Sequence, residues 1–172
     1  MSASARPALF AVVAVAALVS GYIFSQTGLP DTVDIKPLMA ASFPDLQGRN
    51  RSLAEWRGSV LVVNFWATWC PPCLKEIPDF IRMQEKLGAR GVQFVGIAAD
   101  QPDKVRQFAA KYRMNYPVLL ADMAVVEITK QAGNQAGGLP FTVILDREGR
   151  WVSSESGILD EKRLNSLVEP LL

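Results

Sequence analysis

Residues 60–74, VLVVNFWATWCPPCL, contain the only two cysteines of the chain and the pattern that decides its fold. The stretch begins with a run of apolar and β-branched residues, Val60–Trp66, which predicts a buried central strand. Cys70 and Cys73 follow at the point where this strand gives way to a helix. We therefore expect both cysteines to lie at the start of a helix, directly after a buried strand.

This position favours an ionised sulfur at Cys70. The first backbone N–H groups of a helix lack partners within the helix, and the positive end of the helix dipole lies there. If Cys70 is the N-cap residue, Pro71 occupies the first helical position, where its missing N–H and fixed φ are well tolerated. The Cys70 sulfur then faces free N–H groups, which stabilise the thiolate. Cys73 lies three residues later on the same helix face, near enough to form a disulfide.

The composition limits the chemistry that the other residues can supply. The chain of 172 residues is 49% hydrophobic, which is enough for one buried core plus an appendage. A net charge of +1 gives no indication of a nucleic-acid partner. The absence of histidine excludes proton transfer by imidazole and the C-x-x-C-H haem motif. Two cysteines at this spacing fit either a redox pair or a metal site completed by Asp or Glu; we favour redox chemistry and expect no metal and no cofactor.

The N-terminal residues predict a membrane segment. Residues 8–24 carry no charge and are mostly apolar, and a helix of that length spans about 26 Å. Arg6 precedes the segment and Asp31 follows it, which predicts a cytoplasmic N-terminus and an extracytoplasmic domain. We interpret residues 1–25 as a transmembrane anchor. A cleaved signal peptide is the alternative, although no convincing cleavage site follows the apolar run.

The rest of the chain predicts one domain in which strands and helices alternate. Residues 26–39 are interpreted as a linker, because they contain glycine and prolines among scattered acids, and residues 40–172 as the domain. The predicted elements are a hairpin within residues 43–53, the strand Val60–Trp66, a helix from Pro71, a strand at 93–98, a helix from Pro102, a strand at 116–120, a helix at 123–132, a hairpin of Phe141–Leu145 with 150–153, and a helix capped by Asp160.

The motif WCPPC after VVNFWAT resembles the thioredoxin fold, and more narrowly the membrane-anchored TlpA/ResA-type thiol-disulfide oxidoreductases. The resemblance extends from residue 43 to the C-terminus. It includes GLPFTVILDREGR, residues 138–150, which is similar to the cis-proline loop and hairpin of that family. It implies an α/β, thioredoxin-like fold with an N-terminal β-hairpin extension, preceded by one transmembrane anchor helix.

The two cysteines are interpreted as a redox-active disulfide. Cys70 is the expected nucleophile, which attacks a client disulfide, and Cys73 is the expected resolving residue. A static disulfide is the alternative, but so short a loop constrains little of the unfolded chain. Pro71 and Pro72 supply neither an imidazolium nor an additional N–H to stabilise the thiolate, so we expect a reducing pair and a reductase rather than an oxidase.

The expected substrate-binding residues surround this pair. The resemblance implies that Pro140 forms a cis peptide bond beside the cysteines and exposes the backbone of Leu139 to an extended client segment. Trp69 borders Cys70 and is expected to belong to the docking surface, together with Pro71 and Pro72.

Asn64 departs from the pattern of thioredoxins, in which the resemblance implies a buried aspartate that deprotonates the second cysteine. The base for Cys73 is therefore unassigned. Lys75 and Glu76 are interpreted as a solvent-exposed helix face, with Lys75 at pairing distance from Asp79.

The sequence thus predicts a periplasmic reductase of client-protein disulfides, anchored in the inner (cytoplasmic) membrane. The resemblance implies a membrane electron donor of the DsbD/CcdA type and clients in cytochrome c maturation or copper-site assembly. A dithiol copper carrier that uses the two cysteines as soft ligands is one alternative. A thiol peroxidase of the peroxiredoxin type is another, but it requires a Thr-x-x-Cys arrangement, whereas Thr68 lies two residues before Cys70.

Overall fold

The computed structural model describes residues 33–172. The predicted anchor or signal peptide, residues 1–25, lies outside the described residues, as do residues 26–32. Within residues 33–172, no helix is both long and apolar enough to cross a bilayer. The strands are β1 (Ser42–Pro44), β2 (Asn50–Ser52), β3 (Val60–Trp66), β4 (Val92–Ala99), β5 (Val118–Ala121), β6 (Phe141–Leu145) and β7 (Trp151–Ser156). The α-helices are α1 (Lys36–Ala40), α2 (Pro71–Leu87), α3 (Pro102–Tyr112), α4 (Val125–Gln131) and α5 (Glu161–Val168), and 3-10 turns occupy Leu53–Trp56, Gly88–Arg90 and Glu169–Leu171.

Five strands form one mixed sheet in the order β5-β4-β3-β6-β7. The central strand β3 runs parallel to β4 and antiparallel to β6, so Asn64 lies between Gly96 and Thr142. All seven residues of β3 are buried, as its apolar composition predicts. The predicted strands and helices from residue 60 onward are present, with bounds shifted by at most three residues.

Helices cover both faces of this sheet. On one face, α1 and α4 pack over an apolar cluster that includes Val63 and Phe65 of β3. On the other face, α2, α3 and α5 pack against residues that include Val62 and Trp66. Successive residues of β3 therefore point into opposite cores, and Trp66 is fully buried.

The predicted N-terminal hairpin is confirmed by the antiparallel pairing of β1 and β2. Its loop is held by the Asp45 carboxylate, which accepts hydrogen bonds from the backbone N–H groups of Gln47 and Arg49. Asp45 also forms an antiparallel bridge with Leu119 of β5, so the hairpin is attached to the edge of the sheet.

The prediction that residues 26–39 form a linker is wrong at the C-terminal end of this range. Residues 36–39 belong to α1, and Leu38 is fully buried in the apolar core. Pro37 lies in the first turn of this helix, where a proline is compatible with helical geometry. The domain therefore begins before residue 40.

The topology brings three strand ends to one edge of the sheet. Strands β3, β4 and β5 are parallel, so their carboxyl ends point in the same direction. Cys70 follows β3, Asp100 follows β4, and Asp122 follows β5. In open α/β sheets this edge is the usual place for a binding crevice.

Candidate active site

Cys70 and Cys73 form a disulfide at the N-terminus of α2, with their Cα atoms 5.3 Å apart. Cys70 is the N-cap residue, as predicted, and its Sγ accepts a hydrogen bond of 3.3 Å from the Cys73 N–H. Pro71 and Pro72 carry no N–H group and the Leu74 N–H bonds the Cys70 carbonyl, so the Cys73 N–H is the helix-start donor to this sulfur. Cys70 is 4% exposed, whereas Cys73 is completely buried. Of the two cysteines, therefore, only Cys70 retains any exposed surface.

The turn before the cysteines is held by the end of β4. The Asp100 carboxylate accepts hydrogen bonds from the Thr68 N–H, at 3.0 Å, and from the Thr68 hydroxyl. It also accepts one from the Gln101 N–H. Although partial burial opposes ionisation, these bonds hold the pKa of Asp100 below its usual value. The ionised carboxylate thus fixes the backbone two residues before Cys70.

The predicted docking residues around Cys70 differ in accessibility. Trp69 is 57% exposed and Pro71 is exposed, whereas Pro72 is half-buried. Trp69 and Pro71, which flank Cys70 in the sequence, therefore present exposed apolar surface next to this residue.

The Leu139-Pro140 peptide bond is cis, which confirms the expectation from the resemblance. Leu139 packs against the apolar cluster that contains both cysteines, so the structure brings this loop to the disulfide. Pro140 itself is buried, and its carbonyl accepts a hydrogen bond from the Gly157 N–H. Within residues 33–172, the N–H and carbonyl of Leu139 make no hydrogen bond. Both groups are free to pair with an extended segment.

Sequence reasoning missed Asn134, which fixes the shape of this loop. Its Oδ1 accepts a hydrogen bond from the Gly138 N–H, and its Nδ2 donates to the Gly138 carbonyl. Nδ2 also donates to the Thr129 hydroxyl at the end of α4. The buried amide thus holds the residue that precedes Leu139.

The interpretation of Glu76 as a solvent-exposed residue is wrong. Glu76 is 1% exposed, because α2 places it on the same face as Cys73, three residues earlier. Its carboxylate accepts hydrogen bonds from the Asn64 amide at 2.7 Å and from the Leu159 N–H at 3.0 Å. The predicted pairing of Lys75 with Asp79 is also wrong, because Asp79 pairs with Arg82 instead.

Burial raises the pKa of Glu76 to about 7, although the hydrogen bonds from Leu159 and Asn64 act in the opposite direction. The nearby charge of Asp79 also raises this pKa. A carboxyl group that titrates near neutrality is suited to accept or release a proton at physiological pH.

Further polar atoms are buried around this carboxyl group. Within residues 33–172, Asn64 Oδ1, Trp66 Nε1 and the Tyr116 hydroxyl have no hydrogen-bond partner. Gly96 lies across from Asn64, and a Cβ there would lie 2.9 Å from Trp66 Nε1 and 3.4 Å from the Tyr116 ring. Burial, with the charge of Glu76, raises the pKa of Tyr116. The core between α2 and the sheet is therefore more polar than the core on the other face of the sheet.

No metal site is evident in the described part of the chain, since no three His, Cys, Asp or Glu side chains converge there. The chemistry that this arrangement can perform is thiol-disulfide exchange at one accessible sulfur, with a buried second sulfur and a titrating carboxyl group on the same helix face.

Comparison with known proteins agrees with this chemistry. The sequence profile of the Redoxin family matches residues 29–168. A thiol-disulfide oxidoreductase ResA of Bacillus cereus is 30% identical over 129 residues, which cover 74% of this chain and 72% of ResA. ResA of Bacillus subtilis (strain 168) is 28% identical over 131 residues, which cover 73% of this chain and 70% of that protein.

Solved structures agree with the fold. The crystal structure of a thiol:disulfide interchange protein of the thioredoxin family from Chlorobium tepidum TLS superposes with a TM-score of 0.67 at 30% identity. The superposition covers 76% of this chain and 92% of that chain. The predicted thioredoxin-like fold is thus confirmed. The chain belongs to the Redoxin family and is a thiol-disulfide oxidoreductase of the ResA/TlpA type.

Proposed function

We propose that this protein reduces disulfides in client proteins on the extracytoplasmic side of a membrane. The observation that carries the proposal is the asymmetry of the pair: Cys70, at the helix N-terminus, keeps 4% of its surface exposed, whereas Cys73 is completely buried. This arrangement suits a nucleophile that meets the client and a second thiol that resolves the intermediate.

The proposed reaction has two exchange steps. In the first, the Cys70 thiolate attacks one sulfur of the client disulfide, and the other client sulfur leaves as a thiolate. In the second, the Cys73 thiolate attacks Cys70 Sγ, which releases the client's second thiolate and forms the Cys70-Cys73 disulfide. The two electrons that reduce the client come from the two cysteines of the protein; their two thiol protons are released, and the two client thiolates take up protons from solvent.

Glu76 is the proposed acceptor of the Cys73 proton. Cys73 must lose this proton before it can attack, and no histidine is available to take it. Glu76 shares the buried face of α2 with Cys73, and its pKa of about 7 allows both protonation states near neutrality.

The client is proposed to bind at Leu139 and Trp69. The free N–H and carbonyl of Leu139 suit the addition of an extended client segment beside Pro140. Trp69, Pro71 and the half-buried Pro72 supply apolar contact around the reacting sulfur.

The reducing direction rests on the dipeptide between the cysteines. Pro71 and Pro72 add no cation beside the Cys70 thiolate, and strong stabilisation of that thiolate would make the oxidised pair an oxidant. We propose that a membrane protein of the DsbD/CcdA type returns the electrons, and that clients belong to cytochrome c maturation or copper-site assembly. Residues 1–25 are proposed to anchor the protein in the inner membrane, with the domain in the periplasm.

A trapping experiment with Cys73→Ser tests the proposal. In cells, the variant should retain clients as mixed disulfides through Cys70, and a reducing agent should release them. Cys70→Ser should trap nothing and should lose insulin-reducing activity. If Cys73→Ser traps no protein while Cys70→Ser reduces insulin as fast as the wild type, the proposed function is wrong.

A further inference from the structure

A groove opens beside Trp69, on the side of the site formed by the loops after β4 and β5. It encloses about 750 Å³ and reaches from Trp69 to the start of α4. Trp69 is at once a wall of the groove and the neighbour of Cys70 in sequence. An extended client chain covers about 3.3 Å per residue, so residues next to a client cysteine bound at Cys70 reach this groove.

Most of the groove is apolar. Its lining includes the buried side chains of Phe43, Leu120 and Val125, and the half-buried Ile128. Met123, at the rim, is 51% exposed. Exposed apolar side chains above an apolar floor are typical of a site that receives an apolar side chain from a partner.

The charged residues of the groove have one sign. Asp100 and Asp122 contribute to its lining, and no Lys or Arg does. Neither carboxylate has a salt-bridge partner within residues 33–172, although Lys104 is near enough to lower the pKa of Asp100 further. The hydrogen bonds that Asp100 accepts from Thr68 keep its charge at the side of the groove nearest the cysteines.

We propose that this groove selects client segments that carry a Lys or Arg and an apolar residue next to the reactive cysteine. The inference rests on the proposed function and adds the substrate class to it. An apolar floor accepts the apolar side chain, and two carboxylates without salt-bridge partners attract the cation. Acidic segments are disfavoured, because they would add negative charge beside Asp100 and Asp122.

The test uses the reduced full-length protein and two peptide disulfides. Each probe is a symmetric disulfide dimer of a short peptide, so either sulfur that is attacked belongs to the same peptide. The peptides are identical except that the cysteine is flanked by Leu and Lys in one and by Leu and Glu in the other. Rates of reduction are divided by the rates with 2-mercaptoethanol, a neutral thiol, which removes the intrinsic effect of the neighbouring charge on the disulfide.

We expect the protein to reduce the Lys peptide about fivefold faster than the Glu peptide at low ionic strength. This preference should fall below about twofold in 1 M salt, because exposed charges are then screened. Asp122→Asn should also lower this preference for the Lys peptide to less than about twofold. The amide oxygen of that variant still accepts the hydrogen bond from the Ala124 N–H, so the start of α4 is retained.

Glu85→Gln is the matched control. It removes one charge from the exposed side of α2, about 18 Å along the helix from Cys73, and should keep the fivefold preference. If the wild type reduces both peptides equally or prefers the Glu peptide, the groove does not select basic clients, while the proposed reductase function stands. If it reduces neither peptide, the proposed function fails and the inference fails with it.

Discussion

Asn64 and Asn134 each leave only 1% of their surface exposed, yet their amide groups differ in how completely they are hydrogen-bonded. Both polar atoms of the Asn134 side chain have partners. Its Oδ1 accepts a hydrogen bond from the Gly138 N–H, and its Nδ2 donates to the Gly138 carbonyl and to the Thr129 hydroxyl. Asn64 donates to Glu76 and Thr142, but its Oδ1 has no partner within residues 33–172.

The two asparagines serve different parts of the site. Asn134 is saturated, so it fixes the conformation of the loop that carries Leu139. Asn64 is only partly satisfied and binds a carboxyl group whose pKa is about 7. Fully bonded buried groups add rigidity, whereas incompletely compensated ones shift titration behaviour. The loop that carries Leu139 is thus held by a complete set of amide hydrogen bonds, whereas Glu76 lies beside an amide that is only partly hydrogen-bonded.

Asn134→Ala should have the largest effect on stability. It removes three hydrogen bonds: two with the backbone of Gly138, which is exposed, and one with the buried Thr129 hydroxyl, which keeps its bond to the Val126 carbonyl. At about 0.5–1.5 kcal/mol for each bond, we expect the free energy of unfolding, measured by urea denaturation of the oxidised protein, to fall by about 2–4 kcal/mol. Asn115→Ala, which removes one exposed hydrogen bond to the Ile81 carbonyl, should cost less than about 1 kcal/mol. Equal losses in the two variants would show that Asn134 holds nothing essential.

Glu76→Gln should remove a pH dependence of stability. The folded protein keeps the Glu76 proton up to a pH of about 7, whereas the unfolded chain releases it near 4.5. The free energy of unfolding of the wild type should therefore fall as the pH rises from 4.5 to 7, by about 3 kcal/mol from this group. Below that window the group is protonated in both states and contributes no penalty.

The measurement is a series of urea titrations of the oxidised protein between about pH 4 and pH 8, which brackets both pKa values of the group. The difference in free energy of unfolding between wild type and Glu76→Gln should change by about 3 kcal/mol across this window. A constant difference for Glu76→Gln would mean that the carboxyl group titrates with the same pKa in the folded and unfolded chains, so that burial beside Asn64 does not raise it.

Tyr116→Phe should have the smallest effect on stability. It tests whether the buried Tyr116 hydroxyl lacks a hydrogen bond. The Tyr116 hydroxyl has no partner in the described part of the chain, so its removal eliminates an uncompensated buried group. The free energy of unfolding should stay unchanged or rise by up to about 1 kcal/mol. Tyr112→Phe, at a more exposed tyrosine, serves as the control. A loss above about 1 kcal/mol would reveal a hydrogen bond at the Tyr116 hydroxyl.

The parts of the site that follow from local pattern were predicted correctly. A buried strand, a cysteine N-cap and a proline in the first turn of a helix are determined by residues close together in the chain, so the placement of Cys70 and Cys73 could be predicted. The burial of Glu76 depends on Leu159, 83 residues away, and could not be read from its neighbours. The helical spacing of Glu76 from Cys73, Phe80 and Met83, all buried on α2, could have indicated that it is buried too. Its charge favoured the opposite interpretation, because glutamate is rarely buried.

Asn134 and α1 illustrate two other limits. Asn134 carries no pattern of its own, because its role arises only when the loop folds back over Gly138. The helix Lys36–Ala40 is too short to show helical periodicity, and Pro37 suggested a loop. Tertiary contacts of Leu38 with the core, rather than intrinsic helix propensity, hold this segment.

The chain's lack of histidine has a practical consequence for the carboxyl group of Glu76. Histidine side chains normally dominate proton uptake and release near neutrality, and here they contribute nothing. Calorimetric folding experiments in buffers of different ionisation enthalpy would therefore count protons bound near neutral pH against an almost silent background. The difference in protons bound between wild type and Glu76→Gln would then report on one buried acid.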